Sequence, residues 1–90
     1  MKKFIYLISP NKIYKSFYKD LDQAFSTKKV KYFQIRFKKK DKKSIIKIAK
    51  NVKSIALRHK VKLIINDSVT ITKIVKADGC HIGQSDGNIL

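Results

Sequence analysis

The sequence predicts an α/β fold, a partial TIM (β/α)8 barrel with about four parallel strands and three helices. Two observations support this prediction. Short apolar runs rich in β-branched and aromatic residues recur roughly every thirty residues, and the segments between them have helical spacing. Strands that alternate with helices pair in parallel through right-handed crossovers. The chain has 90 residues, whereas a complete barrel has about 250. An open flavodoxin-like sheet, which needs about five strands, is the alternative.

The first half of the chain contains two predicted strands with a helix between them. Residues 3–9 form an apolar run that stops at Pro10, because proline cannot donate to a sheet ladder. From Tyr14 to Phe25, apolar residues recur at steps of three and four with charged residues between them, which indicates an amphipathic helix. Residues 30–37 then predict a second strand that ends in basic residues.

The second half of the chain continues the alternation. Asp41 is placed to cap a helix whose apolar residues fall on one face, since its carboxylate can accept from the free amides of the first turn. Residues 61–65 predict the third strand, Asp67 or Ser68 begins a short third helix, and residues 79–82 predict the fourth strand. We therefore expect the order βαβαβαβ in a single domain.

The charge of the chain suggests nucleic acid at first, but its distribution does not support that class. The formal net charge is +16 and the pI is about 10.1, and basic fields attract polyanions. The only arginines are Arg36 and Arg58, glutamate is absent, and lysines occur in every segment. Such a pattern is typical of solvated helix faces, and no helix-turn-helix, zinc-finger or aromatic RNA-binding signature is present. We expect no specific nucleic-acid partner.

The single cysteine and the short apolar runs indicate in which cellular compartment the protein is expected. Cys80 is the only cysteine, so the chain offers no internal disulfide and no cysteine-based metal site. The apolar run at residues 4–9 is too short to span a membrane, and no small-residue cleavage site follows it. We expect a cytoplasmic protein with no membrane partner.

Polar residues at the end of the second predicted strand suit a phosphorylated ligand. Gln34, Arg36 and Lys38 occupy alternate positions, which places an amide, a guanidinium and an ammonium on one face of the strand. Arginine can bind phosphate oxygens in a fork, lysine adds a point charge, and glutamine can orient a ring. A polar strand end flanked by solvated lysines is the alternative interpretation.

Two carboxylates follow the third and fourth predicted strands. Asp67 and Asp86 are placed to hold Mg²⁺ against a pyrophosphate, because Mg²⁺ prefers a few carboxylates together with waters and substrate oxygens. A helix cap for Asp67 and a turn for Asp86 are the structural alternatives. His81 lies in an apolar run, where a packed core histidine is expected rather than a catalytic base.

Four segments together resemble a known family. Residues 6–10, 34–38, 65–67 and 78–86 are similar, in order and spacing, to the successive signatures of thiamine phosphate synthase, a transferase of thiamine biosynthesis. The resemblance implies a TIM barrel that joins a hydroxymethylpyrimidine pyrophosphate to a thiazole phosphate and releases pyrophosphate with Mg²⁺. It also implies that no protein nucleophile, and hence no catalytic residue in that sense, is needed, because the thiazole ring nitrogen attacks.

The resemblance also assigns site residues by position. It implies contacts to the pyrimidine pyrophosphate and ligands for Mg²⁺; the substrate contacts are Gln34, Arg36, Lys38 and Asn66, and the metal ligands are Asp67 and Asp86. One departure is Phe37, which stands where the family usually has an acidic residue.

Length is the larger departure from the family. Residues 1–90 correspond to the N-terminal half of the barrel domain, and the later strands that supply further phosphate contacts have no counterpart. We therefore expect a truncated or split form that is inactive alone and that self-associates or binds a complementary C-terminal half. A related thiazole tautomerase and a small basic nucleic-acid-binding protein are the alternative functions.

Overall fold

The computed structural model describes residues 3–82, which form four strands and three helices in strict alternation. The elements, in chain order, are β1 (Ile5–Ile8), α1 (Phe17–Ser26), β2 (Val30–Ile35), α2 (Lys42–His59), β3 (Lys62–Asn66), α3 (Val69–Val75) and β4 (Gly79–His81). The predicted order βαβαβαβ is confirmed. Among these residues, no helix combines the length and apolarity that crossing a membrane requires.

The strands form one parallel sheet in the sequential order β1-β2-β3-β4. A flavodoxin-like sheet instead reverses direction at its first strand, in the order 2-1-3-4-5. Neighbouring helices contact each other, α1 with α2 and α2 with α3, so all three lie on the same face of the sheet. Sequential parallel strands with every helix on one face are the arrangement of a TIM barrel segment, and the flavodoxin-like alternative is wrong.

Local interactions explain where the helices begin and end. Asp41 caps α2 as predicted, its carboxylate accepting from the backbone N–H of Ser44 at 3.2 Å. Ser68 caps α3, its Oγ accepting from the backbone N–H of Ile71 at 3.0 Å. α1 begins at Phe17, later than the apolar spacing predicts, because the chain from Tyr14 first makes a separate turn in which the Phe17 N–H donates to the Tyr14 carbonyl.

The hydrophobic core lies between the helices and one face of the sheet. Phe33 in β2 is 2% exposed and contacts the rings of Phe17 and Phe25 in α1. Leu63 and Ile65 in β3 occupy the same face and are almost fully buried. Each of these apolar side chains stabilises the fold by about 1.5–3 kcal/mol relative to an exposed position.

The opposite face of the sheet carries large apolar side chains without a covering layer in the described part of the chain. Tyr6 and Tyr32 stack there with ring centroids 5.5 Å apart, and each is more than a third exposed. Ile8 beside them is 50% exposed. In a closed barrel this face points inward and is filled by side chains from all strands. The uncovered face is therefore the barrel-interior face of the sheet.

Candidate phosphate-binding site at the carboxyl ends of the strands

The candidate site lies at the edge of the sheet where the carboxyl ends of the parallel strands meet. The β2–β3 register pairs Ile35 with Ile65, and Arg36 and Asn66 follow directly after that pair. Arg36 is exposed and Asn66 is half-buried. Neighbouring strands lie about 4.8 Å apart, so the structure brings the ends of β2 and β3 together as the sequence predicts.

Ser9 fixes the backbone at Arg36. Its buried Oγ accepts from the Arg36 N–H at 2.8 Å and donates to the Arg36 carbonyl at 3.2 Å. The Ser9 N–H also donates to the Gln34 carbonyl at 2.9 Å. β2 ends at Ile35, two residues before the predicted end at Phe37, so Arg36 and Lys38 lie beyond the strand. Ser9 therefore replaces the missing ladder bonds with side-chain bonds.

Sequence reasoning assigned no role to Ser9. The available signal was a hydroxyl residue between an apolar strand and Pro10. Because Pro10 has no backbone N–H, the ladder cannot continue there and a side chain must satisfy the polar groups of the neighbouring strand.

Gln34 lies within β2 on the barrel-interior face and is 3% exposed. Its side-chain amide donates from Nε2 to the Tyr6 hydroxyl at 3.0 Å. Its Oε1 is buried and has no hydrogen-bond partner among the described residues. A buried acceptor without a donor costs about 1–3 kcal/mol, and such a group calls for an explanation such as a ligand.

Asn66 and Asp67 lie at the carboxyl end of β3. Asp67 has a positive φ of 57°, a conformation that aspartate and asparagine adopt more readily than most residues. Its backbone N–H donates to the His81 carbonyl at 2.8 Å, and its exposed carboxylate accepts from Asn66 Nδ2 at 3.3 Å. Ser68 is the helix cap, so the capping alternative for Asp67 is wrong.

The remaining predicted residues have mixed outcomes. Asp86 lies outside the described residues. His81 is exposed, so the expectation of a packed core histidine is wrong. The reason is that β4 is an edge strand of the described sheet: His81 has a neighbour on one side, Asn66 in β3, and none of the described strands covers its other side. Asp78, just before β4, accepts from the Leu63 N–H at 2.8 Å and ties β3 to the strand that follows.

The described residues at the strand edge meet only part of the coordination that Mg²⁺ requires. Residues 3–82 contain no group of three or more His, Cys, Asp or Glu side chains that could enclose a metal. Mg²⁺ is usually held by one or two carboxylates, with waters and substrate phosphate oxygens completing the shell. Asp67 at the end of β3 offers one exposed carboxylate, which fits an ion held jointly with a diphosphate rather than an ion held by protein alone.

These features define a barrel-type α/β protein whose candidate site lies at the carboxyl ends of the strands. The family model described as thiamine monophosphate synthase matches residues 5–90. The chain therefore belongs to the thiamine monophosphate synthase family.

Individual relatives agree with this assignment. The chain is 48% identical over 90 residues to the thiamine-phosphate synthase of Pelagibacter ubique, covering 99% of this chain and 44% of that protein. It is 42% identical over 84 residues to the enzyme of the same name from Fusobacterium nucleatum, covering 91% and 40%. All these relatives are named as synthases, so neither alternative function is favoured.

A solved structure shows the same fold. The thiamine phosphate pyrophosphorylase of Pyrococcus furiosus superimposes with a TM-score of 0.73 at 19% identity, covering 88% of this chain and 38% of that one. The chain thus spans less than half the length of the relatives that it matches.

Proposed function

We propose that residues 1–90 are the N-terminal half of a thiamine phosphate synthase barrel, and that the strand edge binds the pyrimidine pyrophosphate substrate. Together with a complementary C-terminal half, this edge would take part in joining the pyrimidine to a thiazole phosphate in the cytoplasm. The observation that carries the proposal is that Ser9 bonds the backbone of Arg36 just after β2, at the edge of the sheet where Asn66 ends the neighbouring strand β3.

The reaction needs stabilisation of a leaving group more than a protein nucleophile. The thiazole ring nitrogen forms a bond to the exocyclic carbon of the pyrimidine, and the carbon–oxygen bond to pyrophosphate breaks with its electron pair going to the pyrophosphate. Negative charge then grows on the leaving oxygens, and cationic groups placed there lower the barrier. Arg36 and Lys38 supply a forked donor and a point charge at this position.

The carboxylate and amide at the end of β3 serve the same diphosphate. Mg²⁺, when bound, would neutralise phosphate charge, and Asp67 and Asp86 are the residues proposed to hold it. Asn66 donates to the Asp67 carboxylate, and this bond would restrict the carboxylate's rotation. Asn66 is also proposed to donate to a phosphate oxygen of the substrate.

Gln34 is proposed to recognise the pyrimidine ring. Its unpaired buried Oε1 accepts and its Nε2 donates, a pair that matches the amino group and ring nitrogen of a substituted pyrimidine. A site built to pair these groups rejects ligands that leave its buried polar atoms unsatisfied.

Titration calorimetry with inorganic pyrophosphate tests the proposal. We expect millimolar binding, about −4 kcal/mol, because only part of the phosphate shell is present, and we expect it to require Mg²⁺. Arg36→Gln should abolish detectable binding, and Asp67→Asn should remove the Mg²⁺ dependence. Lys31→Gln, an exposed lysine at the amino end of β2, is the matched control. Binding that is independent of Mg²⁺ and of both site variants would contradict the proposal.

A further inference from the structure

The carboxamide of Gln34 is held in one orientation by a residue of the neighbouring strand. Gln34 is 3% exposed, and its Nε2 donates one of its two protons to the Tyr6 hydroxyl at 3.0 Å. Among the described residues, no group donates to its buried Oε1. Tyr6 therefore engages the nitrogen end of the carboxamide and leaves Oε1, together with the second N–H, for another molecule.

An irregularity between β1 and β2 brings Tyr6 to this position. The register between the two strands passes over Lys31, so that Tyr6 pairs with Tyr32. Successive residues of a strand point to opposite faces, so Tyr32 and Gln34, two positions apart, lie on the same face. A regular register would have set Tyr6 opposite Lys31, whose side chain belongs to the other face. Irregularities of this kind commonly re-aim a side chain beside a site.

The ring of Tyr6 is held by stacking rather than by burial in the core. It stacks on the ring of Tyr32, with centroids 5.5 Å apart and planes 26° apart. Tyr6 is 47% exposed and Tyr32 is 40% exposed. Replacing Tyr6 by phenylalanine keeps the stacked ring and removes only the hydroxyl, so the effect of the hydroxyl can be measured by itself.

We propose that Tyr6 is a positioning residue of the pyrimidine site, which acts through Gln34 to select an amino-substituted ring over its oxo counterpart. This inference rests on the proposed function, in which Gln34 recognises the ring. With Nε2 turned toward Tyr6, the carboxamide offers an acceptor, Oε1, beside one remaining N–H donor.

The selectivity follows from the order of donors and acceptors on the ring. An exocyclic amino group donates to Oε1, and the adjacent ring nitrogen accepts from the remaining N–H. The oxo counterpart has the reverse order, an oxygen acceptor beside a ring N–H donor, and so places like groups in contact with this carboxamide. A carboxamide turned by half a rotation would pair with the oxo ring instead. Holding Nε2 at Tyr6 therefore rejects the oxo ring, because the buried polar atoms of Gln34 would be left unpaired.

The test compares two ligands on the 90-residue chain in the presence of Mg²⁺. One is hydroxymethylpyrimidine pyrophosphate, and the other is the same molecule with the amino group replaced by an oxo group. Inorganic pyrophosphate is titrated in parallel, since it reports the strand edge without the ring. The variant is Tyr6→Phe. The matched control is Tyr18→Phe, which also removes a hydroxyl that accepts from a carboxamide, Asn51 Nδ2 at 3.3 Å, but on the helices.

Ligand-detected NMR titration should show that the unsubstituted chain prefers the amino ring by at least about tenfold. Tyr6→Phe should reduce this preference to about twofold or less, because the freed carboxamide can turn to suit either ring, and should leave pyrophosphate affinity unchanged. Tyr18→Phe should keep the full preference. If Tyr6→Phe does not fold, Tyr32→Leu, which removes the stacking partner and keeps the Tyr6 hydroxyl, should lower the preference about threefold.

The outcomes separate this inference from the function on which it rests. Pyrophosphate binding with no amino preference in the unsubstituted chain would overturn the inference alone, as would a full preference in Tyr6→Phe. An equal loss of preference in Tyr6→Phe and Tyr18→Phe would also overturn it, since the effect would then not depend on the contact with Gln34. Absence of Mg²⁺-dependent binding for pyrophosphate and both ring ligands would overturn the proposed function, and this inference with it.

Discussion

Replacing Ser9 by alanine tests how the phosphate-binding edge is held together. Ser9→Ala removes the acceptor of the Arg36 N–H at 2.8 Å and the donor to the Arg36 carbonyl at 3.2 Å. Ser9 is 7% exposed, so water does not readily replace its hydroxyl. A buried donor left without an acceptor costs about 1–3 kcal/mol. We expect the free energy of unfolding to fall by about 1–2 kcal/mol, the lower part of that range, because Arg36 is an exposed residue and water can replace part of the lost bonding.

Urea denaturation measures this change directly. With a slope of about 1 kcal/mol per molar urea for a small protein, the midpoint should fall by roughly 1–2 M with the slope unchanged. Ser26→Ala is the control, because the Ser26 hydroxyl bonds only a carbonyl of its own helix and is exposed. Ser9→Ala should also weaken Mg²⁺-dependent pyrophosphate binding. Ser9→Thr keeps the hydroxyl and should restore that binding. A midpoint shift no larger than that of Ser26→Ala would refute the assigned role of Ser9.

Three further predictions concern the helices and the uncovered face. Lys53→Met should lower the free energy of unfolding by about 1–2 kcal/mol in chemical denaturation, because the Lys53 ammonium donates to the carbonyls of Val75 and Lys76 at the end of α3. Asp22→Asn should reduce the acid sensitivity of stability, measured as denaturation midpoints at neutral and acid pH. The hydrogen bond from His59, and secondarily the charge of Arg58, hold the pKa of Asp22 below its usual value. Stability from a lowered carboxylate pKa is present above the unfolded value of about 3.9 and is lost as the pH falls below it. The chain should also self-associate or be marginal as a monomer, because Tyr6, Ile8 and Tyr32 are exposed on the barrel-interior face and the sheet edges invite pairing.

Each of these predictions has its own control. Lys47→Met removes an exposed ammonium from the same helix as Lys53 and should change stability by about 0.5 kcal/mol or less; an equal loss in both variants would contradict the α3 contact. Asp22→Glu keeps a carboxylate at this position and should retain more of the acid sensitivity than Asp22→Asn, and identical pH profiles for the wild type and Asp22→Asn would exclude the role of Asp22. Sedimentation velocity over a concentration series tests association, and a stable, cooperatively folding monomer at micromolar concentration would refute it.

The fold was predictable from the sequence because hydrophobic spacing alone separates its elements. Apolar residues in the strands either alternate with polar ones or form a continuous run; the strands are residues 5–8, 30–35 and 62–66. Between the strands, apolar residues recur about every 3.6 positions, which indicates helices. Segment ends were less predictable. The early end of β2 and the late start of α1 depend on Ser9 and on the turn at Tyr14, which are contacts that spacing does not encode.

The meeting of the strand ends was predictable, but the local geometry was not. Parallel strands bring their carboxyl ends to one edge, so the ends of β2 and β3 were expected together; that Arg36 and Asp67 form a site there stays a prediction. The left-handed backbone of Asp67 and the unpaired Oε1 of Gln34 depend on three-dimensional packing. The exposure of His81 was mispredicted because an apolar run looks the same whether one or both faces of its strand are covered.

Binding of hydroxymethylpyrimidine pyrophosphate, compared with inorganic pyrophosphate in the presence of Mg²⁺, tests the central claim most directly. If this edge is the pyrimidine-pyrophosphate half of a synthase site, the pyrimidine compound should bind at least about tenfold more tightly, since buried polar groups paired by a ring contribute about 1–2 kcal/mol. Gln34→Leu should remove that difference while leaving pyrophosphate binding unchanged. Equal affinity of the wild type for both ligands, or an advantage that survives Gln34→Leu, would contradict the account.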